Sequence, residues 1–342
     1  MKSVRSNFLS YPSRLNHAIA FTALAAFGLV FSSSPATAQS KAEPTASTSQ
    51  MSMAQKSTAP QPGQETFSSA AHACHALIAG LEKDDQASLL KILGPDAKDI
   101  ISSGDPAEDK DNRQQFVQKY RQMHRLVTEP DGTTTLYIGA ENWPTPIPLI
   151  HQASAWYFDT PTGKKEILYR RIGKNELAVI QTCNELVAAE KEYYAKPHDG
   201  APEGEYAQKF FSDSGKQNGL YWETSSANAA SPIGPLVAVA AVENYPQPPD
   251  RNLEPFQGYY FRILKAQGKK ASGGAHSYIK DGKMAAGFAF VAYPAEYRNS
   301  GVMTFLVNQD GVVYQKDLGP KTAEIAKTIK SYDPDSSWHK AD

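Results

Sequence analysis

Residues 156–177 read WYFDTPTGKKEILYRRIGKNEL, and the fold turns on how this stretch is divided. Trp156 and Phe158 alternate as in a strand. Asp159-Thr160-Pro161-Thr162-Gly163 has the composition of a hairpin turn. A returning strand through Ile167 and Tyr169 then ends in Arg170 and Arg171, whose side chains face opposite sides. Gly173 turns the chain, Asn175 caps a helix, and Glu176 sits near that helix's N-terminus, where negative charge is favoured. On this division residues 66–173 form one α+β domain and residues 174–342 a second.

Working back toward the N-terminus, the first domain reads as helices followed by a meander. Ser68 or Ser69 can cap a helix with Cys74, Leu77, Ile78 and Leu81 on one face. Asp84 or Asp85 can cap a second helix, with Leu89, Leu90, Ile92 and Leu93, that Gly94-Pro95 ends. Phe116, Tyr120, Met123 and Val127 recur at helical spacing and predict a third. The period then changes to two at Thr134, Leu136 and Ile138, and again at Ile147 and Leu149. This order resembles the cone-shaped nuclear transport factor-like and cystatin-like folds, a likeness of architecture that carries no function.

Working forward, a helix from about Lys174 to Tyr194 leads into a loop-rich stretch dense in Gly, Pro and aromatics. Alternation returns at Tyr259, Phe261 and Ile263, then at Phe288 and Phe290, and in Thr304–Val307. Asn308-Gln309-Asp310-Gly311 reads as a turn rather than a calcium loop, because the spaced acids and the closing Glu are missing. A short helix from Thr322 to Lys330 precedes a polar tail.

The first 65 residues are of a different kind. Lys2, Arg5 and Arg14, the apolar run Ala18–Phe31 and Ala36-Thr37-Ala38 have the layout of a signal peptide ending at residue 38. The expected location is the periplasm or the exterior, with no membrane span left after cleavage. Residues 39–65 hold few large apolar side chains and read as a flexible tether. The whole chain of 342 residues carries a net charge of only −1 and no basic stripe, which argues against nucleic acid as a partner. Its two cysteines, Cys74 and Cys183, read as buried small hydrophobes or as a disulfide pair.

Several strings stand together. They include Trp143-Pro144-x-Pro146-Ile147-Pro148, Arg170-Arg171-Ile172-Gly173-x-Asn175-Glu176-Leu177, Gly219-Leu220-Tyr221-Trp222, Gly258-Tyr259-Tyr260-Phe261-Arg262 and Ser300-Gly301-Val302-Met303-Thr304-Phe305. With them the chain, from about Phe67 to Trp338, resembles the bacterial exported family catalogued as domain of unknown function 2950. The resemblance implies an envelope location and an architecture, and no catalytic residue. The second half alone is similar to the heads of pilin-like and pseudopilin proteins. It lacks their hydrophobic N-terminal helix, so filament building is not implied.

The chemistry-bearing residues support two readings. Arg170 or Arg171 can clamp a carboxylate or phosphate, or can pair with Glu176 to hold the two halves together. Trp143, Tyr221, Trp222, Tyr259 and Tyr260 lie beside Gly and Pro. They either offer stacking area to a sugar, peptide or partner protein, or fill the seam between the halves. His72 and His75 share a helix face, but no further ligand pair of metal-binding spacing accompanies them. Nucleophile elbows, zinc-protease motifs and phosphate loops are missing. The expectation is therefore an exported, non-catalytic binding or assembly module that uses an aromatic surface to engage an envelope protein or cell-wall component. It carries no catalytic residue, metal or cofactor. The alternative is a hydrolase of wall glycan or peptide. The sequence leaves the oligomeric state open.

Overall fold

The computed structural model describes residues 59–103, 106–223, 230–240 and 254–341. The expected signal peptide and residues 39–58 of the expected tether lie outside them. The fold is mixed α+β, with antiparallel sheets. The chain divides into two compact units, one ending at Ile167 and the other beginning at Leu168.

In the first unit, α1 (Ala70–Glu82) starts at Ser69, whose Oγ accepts the His72 N–H at 3.1 Å. Helix α2 (Gln86–Leu93) starts at Asp85, whose Oδ1 accepts the Ser88 N–H at 3.0 Å. Both caps satisfy amides that lack a helical acceptor. A 3₁₀ turn, Pro95–Ala97, leads to α3 (Lys98–Ile101) and then α4 (Pro106–Gln122). The sheet follows: β1 (His124–Thr128), β2 (Thr134–Ile138), β3 (Trp143–Pro144), β4 (Leu149–Gln152) and β5 (Ala155–Phe158). Its order is β1-β2-β4-β5, with β3 also paired to β2. Cys74, Leu77, Leu89, Ile92, Phe116, Leu136, Leu149 and Phe158 meet in its core. The last residues of the expected tether are fastened to this unit. The Glu65 N–H donates to the Lys91 carbonyl at 2.7 Å, and Gln64 Nε2 to the Phe158 carbonyl at 2.9 Å.

Two expectations are corrected here. The helical spacing Phe116–Tyr120–Met123–Val127 does not carry α4 to Val127. The Gly139 N–H reaches the Lys119 and Met123 carbonyls at 3.1 and 3.0 Å, so the far end of β2 takes over the helix's last acceptors and Val127 joins β1. The larger correction concerns residues 159–173. There is no hairpin and no returning strand, because α5 runs unbroken from Thr160 to Tyr194. Asp159 is its cap, accepting the Thr162 N–H through Oδ1 at 3.2 Å and the Gly163 N–H through its carbonyl at 2.9 Å. Asp-Thr-Pro serves a helix start as well as a turn, since Pro in the first turn sacrifices no needed N–H. Gly163 is required for proximity: a Cβ there would lie 2.5 Å from Ile147 Cγ1 and 2.9 Å from its Cα. Gly173 does not turn the chain; it lies within α5.

In the second unit, α5 buries Val179, Cys183, Leu186, Val187 and Tyr193, a stripe of helical period. After α6 (Pro235–Val239) comes β6 (Tyr259–Leu264). Two short ribbons follow, β7 (Ala266–Gln267) with β8 (His276–Ser277), and β9 (Ile279–Lys280) with β10 (Lys283–Met284). Then come β11 (Ala289–Pro294), β12 (Met303–Asn308), β13 (Tyr314–Asp317), α7 (Thr322–Thr328) and β14 (His339–Lys340). The main sheet runs β14-β13-β12-β11-β6. Asn308–Gly311 is the expected turn between β12 and β13; Asn308 and Asp310 bond each other, and Gly311 has φ +77°. The two cysteines are free and buried, one in the core of each unit. Burial pushes both thiols up to about 12.

Candidate functional site

The first unit contains a small, partly open pocket. Helices α1 to α4, the bend at Thr145–Ile147 and β5 surround a pocket of about 50 Å³. Its walls are aliphatic and aromatic: Leu77 and Leu81 from α1, Leu89 and Leu93 from α2, Ile100 and Ile101 from α3, Phe116 from α4 and Phe158 from β5. The short helices set this up. Helices α2 and α3 are only about one to two turns long, so their faces converge with those of the longer α1 and α4 on one place, beside the bend at Pro146.

Polar groups reach the pocket from α4 at helical spacing. Asp109, Asn112 and Arg113 line it together with Thr145. Asp109 is buried and both its carboxylate oxygens accept the Ser103 N–H, at 3.0 and 3.1 Å. Arg113 is also buried; its Nη1 donates to the Ile101 carbonyl at 2.9 Å and its Nε lies 2.6 Å from Asp84 Oδ1. These two charges are thus committed to holding the segments that form the wall. Asn112 is half-buried and Thr145 buried, and they supply an amide and a hydroxyl to the pocket. The arrangement can receive a small apolar group and hydrogen-bond what is attached to it. Nothing in the sequence marked this site except the Asp109–Arg113–Phe116 spacing, which places all three on one helix face.

The residues singled out from sequence lie elsewhere. Trp143 is half-buried in β3 and packs on the first core. Arg170 is half-buried on α5. Arg171, Asn175 and Glu176 act together, on successive turns of α5. Arg171 Nη2 donates to Asn299, to its carbonyl at 3.2 Å and to its side-chain oxygen. Asn175 Nδ2 donates to the Ser300 carbonyl at 2.8 Å. Glu176 Oε1 accepts the Val302 and Met303 N–H groups at 2.8 and 3.0 Å. Two of the strings that carry the family resemblance therefore bind each other, and Glu176 receives main-chain amides where an arginine was expected. Arg171 and Glu176 fasten the entry to β12 within the second unit.

The aromatic candidates do not share a surface. Tyr259 is 0% and Trp222 7% exposed. Both fill the second core, where Trp222 lies 5.8 Å from the His198 ring. The Tyr259 hydroxyl donates to the Met303 carbonyl at 3.0 Å, and burial beside the Glu176 carboxylate raises its pKa far above the ordinary tyrosine value. Adjacent strand residues point to opposite faces, so Tyr260 lies on the other side of β6, half-buried and 6.0 Å from the Tyr293 ring. Tyr221 is half-buried, edge-on to Phe211 at 5.5 Å. Tyr221, Trp222, Tyr259 and Tyr260 were candidates for one stacking surface; the strand period puts Tyr259 and Tyr260 on opposite faces.

Among the described residues no group of three or more His, Cys, Asp or Glu side chains could hold a metal ion. His72 bonds locally, its ring 3.4 Å from Ser68 Oγ. No helix among the described residues is long and apolar enough to cross a membrane.

The family described as "Protein of unknown function (DUF2950)" has a model that matches residues 64–341. The chain belongs to this family. The match to DUF2950 spans both units, including the pocket and the paired strings of α5 and β12. No curated protein and no solved structure matches the chain, and the likeness of the second half to pilin heads is not confirmed.

Proposed function

We propose that this DUF2950 chain is an exported, non-catalytic binding protein, and that the pocket of its first unit is the ligand site. Its ligand is a small amphiphile from the cell envelope, presenting a short aliphatic group to the pocket and a hydrogen-bonding group to Asn112 and Thr145. The observation that carries the reading is the apolar space itself, with those two polar side chains at its wall. At about 50 Å³ it is smaller than the roughly 150 Å³ cavity that takes a benzene ring. A branched three- or four-carbon group fits it better than a whole ring or a long chain. The leader-like N-terminus supports export, and the missing nucleophile motifs support binding over turnover.

Thermal melting of the purified protein with isobutanol, isovaleramide and isovalerate tests this. A ligand at about 100 times its Kd raises stability by roughly 2.7 kcal/mol, which shows as a clear upward shift. Leu81→Trp, which plugs the half-buried side of the pocket, should remove the shift and leave the circular dichroism spectrum unchanged. No shift with any of the three, or a shift that survives Leu81→Trp, would reject the site. Hydrolysis of an isovaleryl ester by the protein would favour a hydrolase instead.

A further inference from the structure

Among the described residues, strand β1 forms an unpaired edge of the first unit's sheet. The Glu129 N–H bonds the Thr133 carbonyl at 2.8 Å, and the Gly139 N–H bonds the Met123 carbonyl at 3.0 Å. With the register that pairs Arg125 with Tyr137 and Val127 with Thr135, residues 123, 125, 127 and 129 turn their main-chain groups toward β2. By antiparallel alternation, His124, Leu126 and Thr128 turn theirs outward. Leu136, opposite Leu126, gives its carbonyl to the Thr145 N–H on the far side at 2.8 Å, as the same alternation requires. His124, Leu126 and Thr128 are all exposed, and no other segment among the described residues pairs with this edge.

The outer strands β5, β6 and β14 differ from it. On β5, Trp156 exchanges two bonds with Phe67, both 2.8 Å. On β6, Tyr259 exchanges two with Phe256, both 3.0 Å, and the Phe261 N–H meets the Ala240 carbonyl at 2.9 Å. Strand β14 is two residues long. Open edges are normally guarded by proline, a bulge or a projecting charge. Strand β1 has no proline and an unbroken register. Its one strong charge is withdrawn: the Arg125 guanidinium lies 4.7 Å over the Tyr137 ring, with Nε bonded to Asn142 Oδ1 at 2.7 Å.

We propose that this edge docks a second copy of the same chain, β1 pairing antiparallel with β1 across a two-fold axis at Leu126. The outward residues are symmetric about Leu126. A two-fold copy therefore sets Leu126 against Leu126 and His124 against Thr128, all as hydrogen-bonded pairs, with roughly six main-chain bonds. Arg125 then faces Val127, so no like charges stand directly opposite. Leu126, 37% exposed, shares its sheet face with the buried Leu136, and the two copies of Leu126 cover each other. Two five-residue strands bury less than the roughly 1,200 Å² of a tight interface. The association is accordingly weak, with a Kd on the order of 10 µM.

Sedimentation of the purified protein across the micromolar range, with hydrogen exchange at both ends of that range, tests the proposal. Dimer should form with concentration, and the amides of Leu126 and Thr128 should gain protection while those of Arg125 and Val127, already bonded, do not change. Leu126→Pro removes an N–H that the monomer does not use and should weaken the dimer about 100-fold or more. Leu126→Lys places two like charges on the axis and should weaken it about tenfold or more; it decides the matter if the proline variant does not fold. A monomer at every concentration overturns the proposal. So does a dimer that survives both substitutions, or protection that ignores the alternation. A monomer that instead captures an unrelated extended peptide along β1 overturns it in favour of a different partner.

Discussion

The two units fill their interiors with different side chains. In the first, leucine, isoleucine and phenylalanine from α1 to α4 and β5 meet around a pocket of about 50 Å³. In the second, Phe210, Phe261, Phe288, Phe290, Phe305, Tyr259 and Tyr278 are fully buried, and tyrosine hydroxyls bond the interior. Tyr278 donates to Gln267 Oε1 at 3.1 Å and Tyr193 to the Gln217 carbonyl at 2.8 Å. Rings bring large area with few torsions, so they fill space and fix the segments around them. The densest aromatic packing is in the second unit; the candidate site lies in the first, where aliphatic side chains outnumber the two rings, Phe116 and Phe158, in the wall.

The contrast is most easily broken at Arg262. This buried side chain on β6 donates from Nη2 to the Ala326 and Ile329 carbonyls at 2.6 and 2.7 Å, at the C-terminal end of α7, where a cation is favoured. Arg262→Met should cost about 3 kcal/mol, because charge-assisted bonds are lost and buried carbonyls are stranded. Denaturant melting of the variant checks this; a loss below about 1 kcal/mol would mean that water replaces the guanidinium. The next test compares overpacking in the two interiors. Ala292→Leu in the solid core of β11, where Ala292 is 0% exposed, should cost about 2 kcal/mol. Leu81→Phe beside the pocket should change stability by less than about 1 kcal/mol. Equal costs from the same melts would show that the interiors do not differ.

A smaller, pH-dependent effect belongs to Glu190. It is 0% exposed on α5; Oε2 accepts the Ala207 N–H at 2.8 Å, and Oε1 has no partner among the described residues. Burial raises its pKa well above the ordinary carboxylate value. The unfolded chain therefore loses this proton first as pH rises. The stability that neutral Glu190 contributes is complete below the unfolded value and is lost as pH climbs toward the folded one. Glu190→Gln keeps an acceptor for Ala207. Its stability relative to the parent should rise with pH and show no gain in acid, as urea melts at a series of pH values will reveal. The smallest effect is kinetic. Cys74 and Cys183 report separately on the two cores, and labelling with a thiol reagent should modify Cys74 first if the first unit opens more readily. Equal rates would indicate that the units open together.

What the sequence disclosed follows the same physics. The caps at Ser69 and Asp85 were legible to within one residue, and the stop at Gly94 outright, because caps act locally, through groups one to three residues away. Strand β1 was not legible. An edge strand exposed on both faces has no apolar alternation, and Val127 happened to continue the helical spacing of Phe116 and Tyr120. The first turns of α5 were misread because Asp-Thr-Pro-Thr-Gly suits a turn and a helix start equally. Gly163 is decided by Ile147, sixteen residues earlier, about which local rules are silent. The pocket was invisible for a different reason. Leu77, Leu89 and Ile100 are the residues any core would use, and whether they touch or leave a gap is settled only by how the helices end. The glycines and prolines beside Trp222 and Tyr259 left open whether these rings offer a surface or fill the interior, and the answer lies in distant contacts: a Cβ on Gly301 would lie 2.1 Å from the Tyr259 hydroxyl oxygen.

The fastening of Glu176 to Val302 and Met303 joins positions 126 and 127 residues apart. A contact of that span is a matter of sequence as well as of energy. The second unit cannot close until β12 has been made, so the polar face of α5 waits for most of the unit to emerge, and folding should be slow for a chain of this size. Closure entropy grows only logarithmically, about 0.6 kcal/mol for each doubling of the loop. Insertions between α5 and β12 should therefore delay the native state far more than they weaken it.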